Sequence, residues 1–290
     1  MGEHDGKVIA VVGASGLQGR AICRRLLEKG WPVRALTRNP DGAPARALAA
    51  LGAAVMRADS ADTASLEPCF DGVHGVYNVQ NHHVSGYDGE VEQGKNVGDA
   101  AADASVRHLV YGSAGVASRR TGIGSWDTKV AVTEHLRSLG VPLTVLRPMA
   151  FMELMVERRF YPAASVWHVM PKLMGEDRPV GWLSIDDLGV IVEKAFADRD
   201  SFVGRDIALA SDVQSIRQCR EIWRDVTGRA PRQFPMPVRL LERFSGTDET
   251  TMWRWLRDNH VDLDTGPTRE IHAGASTVRD WVTERRQRGR

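Results

Sequence analysis

Two hydrophobic periods alternate along the first half of the chain. Short runs in which nearly every position is apolar lie at 8–12, 33–37, 53–56, 73–79, 108–111 and 143–146. Between them, apolar residues return every third or fourth position at 17–28, 43–51, 64–70, 90–104 and 128–139. The first pattern predicts strands covered on both faces, and the second predicts amphipathic helices. Ala21, Ile22, Leu26 and Leu27 share one such stripe, which Gly30 ends. The alternation implies an α/β fold: a doubly wound parallel sheet with right-handed crossovers.

After Pro148 the rhythm changes. Residues 151–160 read as a helix, and 161–179 are rich in Met, Trp and Pro without a clear period. Helices are expected at 186–197, 215–228, 238–260 and 276–286, with a strand at 206–209. The chain therefore divides into a sheet domain over 1–150 and a smaller, mostly helical C-terminal region over 151–290, interleaved with it. Met152, Met155, Trp167 and Met170 suit plain packing and an adaptable pocket wall equally. Trp253 and Trp255 read as packing.

Composition narrows the class. At 290 residues with 42% hydrophobic and 26% charged residues, the chain is ordinary globular material with enough core to need no staple. Lys and Arg number 38 against 37 Asp and Glu, so whole-chain charge gives no reason to expect nucleic acid. Three scattered cysteines (Cys23, Cys69, Cys219) with no CxxC favour a reduced compartment. The first residues carry acid where a signal peptide wants base, and no apolar run approaches a membrane span. A cytoplasmic protein without a membrane partner is the expectation. The arginines of the C-terminal tail read as solvated charge, and no spacing of His, Cys, Asp or Glu matches a metal site.

The strongest local chemistry is Gly13-Ala14-Ser15-Gly16-Leu17-Gln18-Gly19, which follows a strand and opens a helix. Gly13 permits a tight turn, Gly16 lets backbone approach a pyrophosphate, and Gly19 lets helix and strand pack closely. The helix start adds unpaired N–H groups and partial positive charge. Ser15, Leu17 and Gln18 belong to the same cofactor-binding loop. A NAD-preferring site wants an acid after the second strand, but here Thr37-Arg38-Asn39-Pro40 follows, with no acid before Asp41. Arg38 can pair with a 2′-phosphate and Thr37 can donate to it. One charge-assisted hydrogen bond is worth about 1.5–3 kcal/mol, or roughly ten- to a hundredfold in favour of NADPH over NADH. Asp59 and Ser60 stand where an adenine amino group could be held.

These residues resemble the NmrA-like branch of the atypical short-chain dehydrogenase/reductases, within the NAD(P)-binding Rossmann superfamily. The likeness runs through residues 12–19, the Thr37–Pro40 box, Asp59-Ser60, Glu92-Gln93-Gly94-Lys95-Asn96, Leu109-Val110-Tyr111-Gly112-Ser113 and Trp126-Asp127-Thr128-Lys129. It continues in Leu146-Arg147-Pro148 with Phe151-Met152-Glu153, and in Ser184-Ile185-Asp186-Asp187-Leu188-Gly189. The resemblance implies that Lys129 lies near the nicotinamide ribose and that Lys95 reaches the cofactor or the site mouth. It implies that Val79 and Gln80 line the cofactor, and that Pro148, Met149 and Phe151 flank the nicotinamide. The C-terminal region would form the substrate pocket.

Typical members of that superfamily use Tyr-x-x-x-Lys. Here Ser125 stands four residues before Lys129, while Ser113 matches the usual catalytic Ser. A positioned general acid is worth about 10²–10⁴-fold, or roughly 3–5 kcal/mol. Three ways around its loss follow. A quinone-like acceptor could take its proton from water. His82, His83 or Tyr87 could substitute, although the histidine pair reads more simply as a solvated loop. Or no chemistry occurs. Tyr111 and Tyr87 read as packing or rim residues.

The leading expectation is an NADPH-dependent reductase passing hydride to a small electron-poor acceptor. Such an acceptor is a quinone or conjugated carbonyl, flat or aromatic, including natural-product intermediates. The alternatives are a silent NADP(H)-sensing regulator with a protein partner, and a non-redox isomerase or cyclase. A homodimer is compatible with each. Lys129→Ala is expected to cut turnover far more than stability.

Overall fold

The computed structural model describes residue 4 and residues 6–156, 165–231 and 237–288. In chain order it runs β1 (Ile9–Val11), α1 (Leu17–Glu28), β2 (Val33–Thr37), α2 (Ala43–Ala50), β3 (Ala54–Arg57), α3 (Thr63–Phe70), β4 (Gly75–Asn78) and α4 (His82–Asp103). Then come β5 (His108–Gly112), α5 (Gly124–Ser138), β6 (Leu143–Pro148), β7 (Ala150–Phe151), α6 (Met170–Met174), β8 (Pro179–Leu183), α7 (Ile185–Ala197) and α8 (Arg199–Phe202). The chain ends with β9 (Asp206–Leu209), β10 (Asp212–Ser215), α9 (Ile216–Thr227), α10 (Val238–Ser245), α11 (Asp248–Asp258), α12 (Gly266–Ile271) and α13 (Val278–Arg288).

Two compact units share this chain. The first takes Met1–Arg120, Ser125–Arg147 and Ile185–Ile207; the second takes Thr121–Gly124, Pro148–Ser184 and Ala208–Arg290. The main sheet has the order β3-β2-β1-β4-β5-β6-β9, and β1–β2, β1–β4, β2–β3, β4–β5 and β5–β6 are all parallel. This is the doubly wound Rossmann-type fold that the alternating pattern implies. In β4, β5 and β1 every residue is buried, as two covered faces require.

In the first unit, α1 packs on α7 and α2, and α3 packs on α4. Gly189 of α7 lies so close to Ala21 that a Cβ there would meet the Ala21 carbonyl oxygen at 3.2 Å. A Cβ on Gly94 of α4 would meet Val132 of α5 at 2.7 Å. Val76, Val97, Leu109, Tyr111, Val132 and Leu136 belong to one core cluster. Small residues thus set the helices close to one another.

The second unit carries a three-stranded sheet, β10-β8-β7, that the sequence pattern does not reveal. The helix expected over 151–160 is instead β7 followed by a short 3-10 turn, Met152–Met155; its last residues lie outside the described ones. The single helix expected over 238–260 divides into α10 and α11 at Gly246, whose φ is 78°. Met152, Met155, Trp167, Met170, Met174, Trp182 and Trp253 are buried together in this unit's core. The Met- and Trp-rich stretch is therefore packing. Cys23, Cys69 and Cys219 are all buried and unpaired. No described helix is long and apolar enough to cross a membrane.

Candidate functional site

The strand order reverses between β1 and β4: β2 and β3 lie to one side of β1, and β4 and β5 to the other. Open α/β sheets bind ligands beyond the carboxyl ends of the strands at such a point. The glycine loop leaves β1 there, and Val79-Gln80 leaves β4. Backbone bonds pin the loop on both sides: the Val12 N–H donates to the Tyr77 carbonyl at 3.0 Å, and the Ala14 N–H to the Leu36 carbonyl at 3.1 Å.

Each glycine has a separate job. Gly13 has φ 65°, a conformation side chains rarely adopt, and a Cβ there would sit 3.7 Å from Val79. Gly16 is exposed at the N-cap of α1, where no side chain caps the helix and no acid occupies the first turn. A Cβ on Gly19 would stand 2.7 Å from Ala14 Cα and closer still to the Gly13 carbonyl oxygen. Only glycine lets α1 start this near the strand. The result is a backbone cradle beneath uncapped, partly positive N–H groups, which suits a pyrophosphate. The flanking side chains are fixed: the Tyr77 hydroxyl donates to Gln18 Oε1 at 3.1 Å, and the Thr37 hydroxyl donates to Ser15 Oγ at 3.2 Å. Leu17 is exposed.

Beyond β2, Thr37 is buried and its oxygen also accepts from the Asn39 N–H at 3.2 Å. Arg38 is exposed. Beyond β3, Asp59 accepts from the Ala61 N–H at 3.1 Å, and the Ser60 carbonyl accepts from Asn96 Nδ2 of α4 at 3.0 Å. Both are parts of a tied loop.

The centre of the site is Lys129 on α5, and it is not alone. Its Nζ donates to Glu90 Oε1 at 2.6 Å and to the Gln80 carbonyl at 3.0 Å. Glu90 has no exposed surface, and its other oxygen accepts from the Thr128 hydroxyl at 2.5 Å. Burial pushes the Glu90 carboxyl up, but the Lys129 ammonium, the bonds from Lys129 and Thr128, and the charge of His82 together bring it below its ordinary value. Gln80 in turn donates to Asn78 Oδ1, and Asn78 donates to the Gly94 carbonyl at 3.1 Å. Lys129, Glu90 and the end of β4 form one buried polar network.

Ser113, just beyond β5, is also buried. Its backbone N–H is held by the Leu146 carbonyl at 2.8 Å, while its hydroxyl has no hydrogen-bond partner among the described residues. Arg147 steadies the turn after it, donating to the Gly115 carbonyl at 2.5 Å and to Asp206 at 2.5 Å. Tyr111 is wholly buried, and burial with the Glu90 charge pushes its phenol well up, so it is no replacement for the missing acid. Ser125 and Lys129 do lie on one helix, α5, four residues apart.

Two further expectations change. The helix expected from 90 begins at His82, with Asn81 as N-cap and a non-helical Gly86 inside. His82 and His83 therefore form its first turn rather than a solvated loop, with ring centroids 4.1 Å apart. His82 Nδ1 lies 4.0 Å from Glu90, and its ring stacks on Tyr87 at 5.2 Å. Lys95 is half-buried on α4. Pro148 and Phe151 belong to the second unit, Phe151 pairing with Leu183 in the small sheet.

Sequence reasoning missed Glu90 and the role of Arg147. Glu90 leaves one trace: an acid on the stripe that Gly94, Val97 and Ala101 bury. Arg147 leaves none, because Gly115 and Asp206 are distant in sequence.

Comparison with known proteins fits this geometry. A family model described as the NmrA-like family matches residues 5–273. The NmrA-like family domain-containing oxidoreductase FrzB of Cladobotryum sp is 29% identical over 255 residues, which is 79% of this chain and 76% of that protein. The crystal structure of the negative transcriptional regulator NmrA in complex with NAD superposes with a TM-score of 0.78 at 19% identity, covering 98% of both chains. Triphenylmethane reductase of Citrobacter sp, complexed with NADP(H), gives 0.78 at 19%, covering 96% of this chain and 99% of that one.

Proposed function

Given that the chain belongs to the NmrA-like family, we propose that it is an NADPH-dependent oxidoreductase acting on a small electron-poor acceptor. The carrying observation is the cradle at the switch point: Gly13 in a left-handed turn, Gly16 exposed at an uncapped helix start, and Gly19 where a Cβ would strike the loop backbone. The residues present fit a dinucleotide. Gly13, Ser15, Gly16, Leu17, Gln18 and Gly19 would hold the pyrophosphate. Thr37 and Arg38 would face the 2′-phosphate, Asp59 and Ser60 the adenine, and Val79, Gln80 and Lys95 the rest of the cofactor.

When bound, the dihydronicotinamide would supply a hydride to the acceptor. The protein supplies placement and charge. Two of the three Lys129 N–H donors are taken by Glu90 and the Gln80 carbonyl, which leaves one for a ribose or an acceptor oxygen. Lys129 is thereby a fixed cation aimed by its partners, a pre-organised stabiliser of developing negative charge. The Ser113 hydroxyl, buried without a partner among the described residues, is suited to donate to the same oxygen. With Ser125 in place of a tyrosine, α5 offers no phenol. An acceptor that tolerates weak acid assistance, such as a quinone or conjugated carbonyl, is the class this site favours. The oxidoreductase relative and the reductase crystallised with NADP(H) support the reading.

The test is a calorimetric titration with NADPH, NADP⁺, NADH and NAD⁺, followed by loss of dihydronicotinamide absorbance against a quinone and enone panel. Binding of NADPH with turnover of any acceptor supports the reading; absence of dinucleotide binding overturns it. A second reading is a redox sensor working through a protein partner, favoured by the missing phenol and by likeness to a regulator crystallised with NAD. A preference between oxidised and reduced cofactor beyond about tenfold, roughly 1.4 kcal/mol, with no turnover would select it.

A further inference from the structure

Arg57 is the last residue of β3. We infer that Arg57 is a second selectivity residue for 2′-phosphorylated dinucleotides, forming with Arg38 a two-guanidinium corner. This rests on the NADPH reading.

In the parallel pair β2–β3, Arg57 is in register with Thr37, so the two side chains leave the same face of the sheet. Thr37 on that face touches Ser15 of the phosphate loop. Arg57 is therefore one strand outward from the loop, on the loop's side. Its Nη1 donates to the Arg38 carbonyl at 2.9 Å, which anchors the guanidinium against the backbone of the residue that follows β2. Both arginines are exposed.

Charge favours an anion at this corner. Arg24, Arg137, Arg147 and Arg217 each find a carboxylate within 4.0 Å. Among the described residues, neither Arg38 nor Arg57 has one. Arg57 is anchored on the backbone of Arg38 itself, so a single anion can come within reach of both cations, and it would be attracted by each. A guanidinium carries five N–H donors, and the Arg38 carbonyl occupies one of those of Arg57. The rest can meet the oxygens of a phosphate monoester, which bears up to two negative charges and so can satisfy two guanidinium groups. A ribose that ends in a hydroxyl gives this pair nothing to neutralise.

The experiment titrates the full chain and its Arg57→Gln and Arg38→Gln variants with NADPH, NADH, 2′,5′-ADP and 5′-ADP, at low and moderate salt. Glutamine keeps a donor for the Arg38 carbonyl but removes the charge. The expected result is about a tenfold loss for NADPH and 2′,5′-ADP in Arg57→Gln, with NADH and 5′-ADP unchanged and a shallower salt dependence for the phosphorylated pair. Equal loss for all four ligands would make Arg57 a strand tie only and overturn the inference. So would an unchanged NADPH-to-NADH ratio in Arg57→Gln when Arg38→Gln lowers it, and in that case the NADPH reading survives. A parent chain that does not distinguish NADPH from NADH overturns both. Should Arg57→Gln lower the thermal midpoint, Arg57→Lys decides: retained preference supports a charge role, and lost preference overturns it.

Discussion

At the residue scale the decisive fact is that Lys129 and Glu90 are partners inside the protein. Removing one member of a buried ion pair leaves an uncompensated charge and costs about 3–5 kcal/mol. Lys129→Ala is therefore expected to lower stability as well as turnover, contrary to what the helical spacing alone suggests. Lys129→Met and Glu90→Leu should each be strongly destabilising, and the double variant should lose clearly less than their sum, since contacting residues do not add. Urea denaturation of the four proteins checks this, and additive losses would dissolve the pair. A milder change, Glu90→Gln, keeps the shape, and the Thr128 hydroxyl retains an acceptor. On the proposed reading, in which Lys129 stabilises charge developing on the acceptor, this change should lower turnover at saturating acceptor more than it weakens NADPH binding. The sequence makes Lys129 legible through the family resemblance of Trp126-Asp127-Thr128-Lys129 and its place on a helix. It leaves Glu90 obscure because the two sit 39 residues apart, and nothing local tells a buried carboxylate from a surface one.

At the scale of elements, the strand–loop–helix unit from β1 to α1 is the part most completely written in local sequence. Its boundaries follow from the apolar run, the glycine spacing and the stripe that Gly30 ends, and the structure reproduces them at Leu17–Glu28. Gly19→Ala tests the close packing. A Cβ 2.7 Å from Ala14 Cα must push helix from strand, and overpacking of that kind costs about 1–3 kcal/mol. The thermal midpoint should fall, and dinucleotide affinity should fall with it. Gly16→Ala, with its nearest neighbour at 3.2 Å, should keep the midpoint while weakening binding. The opposite order would reverse the assigned roles. In the C-terminal part, β7, β8 and β10 are two to five residues long, too short to show a period. They pair through partners far along the chain, as Trp182 does with Asp212 and Ala150. The division at Gly246 was visible as a glycine, but the amphipathic pattern continues across it and hides the break. The early start of α4 is obscured in the same way, by Gly86 within it.

At the scale of the whole molecule, the chain passes between units at 120–121, 124–125, 147–148, 184–185 and 207–208. The segment Ile185–Ile207 returns to the first unit because α7 offers Gly189 to α1 and Phe196 to the first residues of β4 and β5, Gly75 and His108. His108 makes the stability of the folded molecule depend on pH. The Thr144 hydroxyl donates to the Phe202 carbonyl at 2.8 Å, so it accepts from His108 Nε2, also at 2.8 Å. His108 is then the Nε2–H tautomer, and among the described residues its buried Nδ1 has no acceptor for a second proton. Burial, followed by the charges of Arg199 and His74, pushes this imidazole down to about 4 from an ordinary 6.5. Between those values the unfolded chain holds a proton that the folded one refuses, so stability falls as pH falls through the window. Going from pH 7 to pH 5, this one group should remove about 2 kcal/mol. His108→Gln, which can keep a donor toward Thr144, should be less stable than the parent at pH 7 yet lose correspondingly less on acidification. Urea midpoints of both proteins at the two pH values measure the difference. Parallel losses would mean that His108 accepts its proton in the folded state, and that the acid sensitivity of the molecule lies elsewhere.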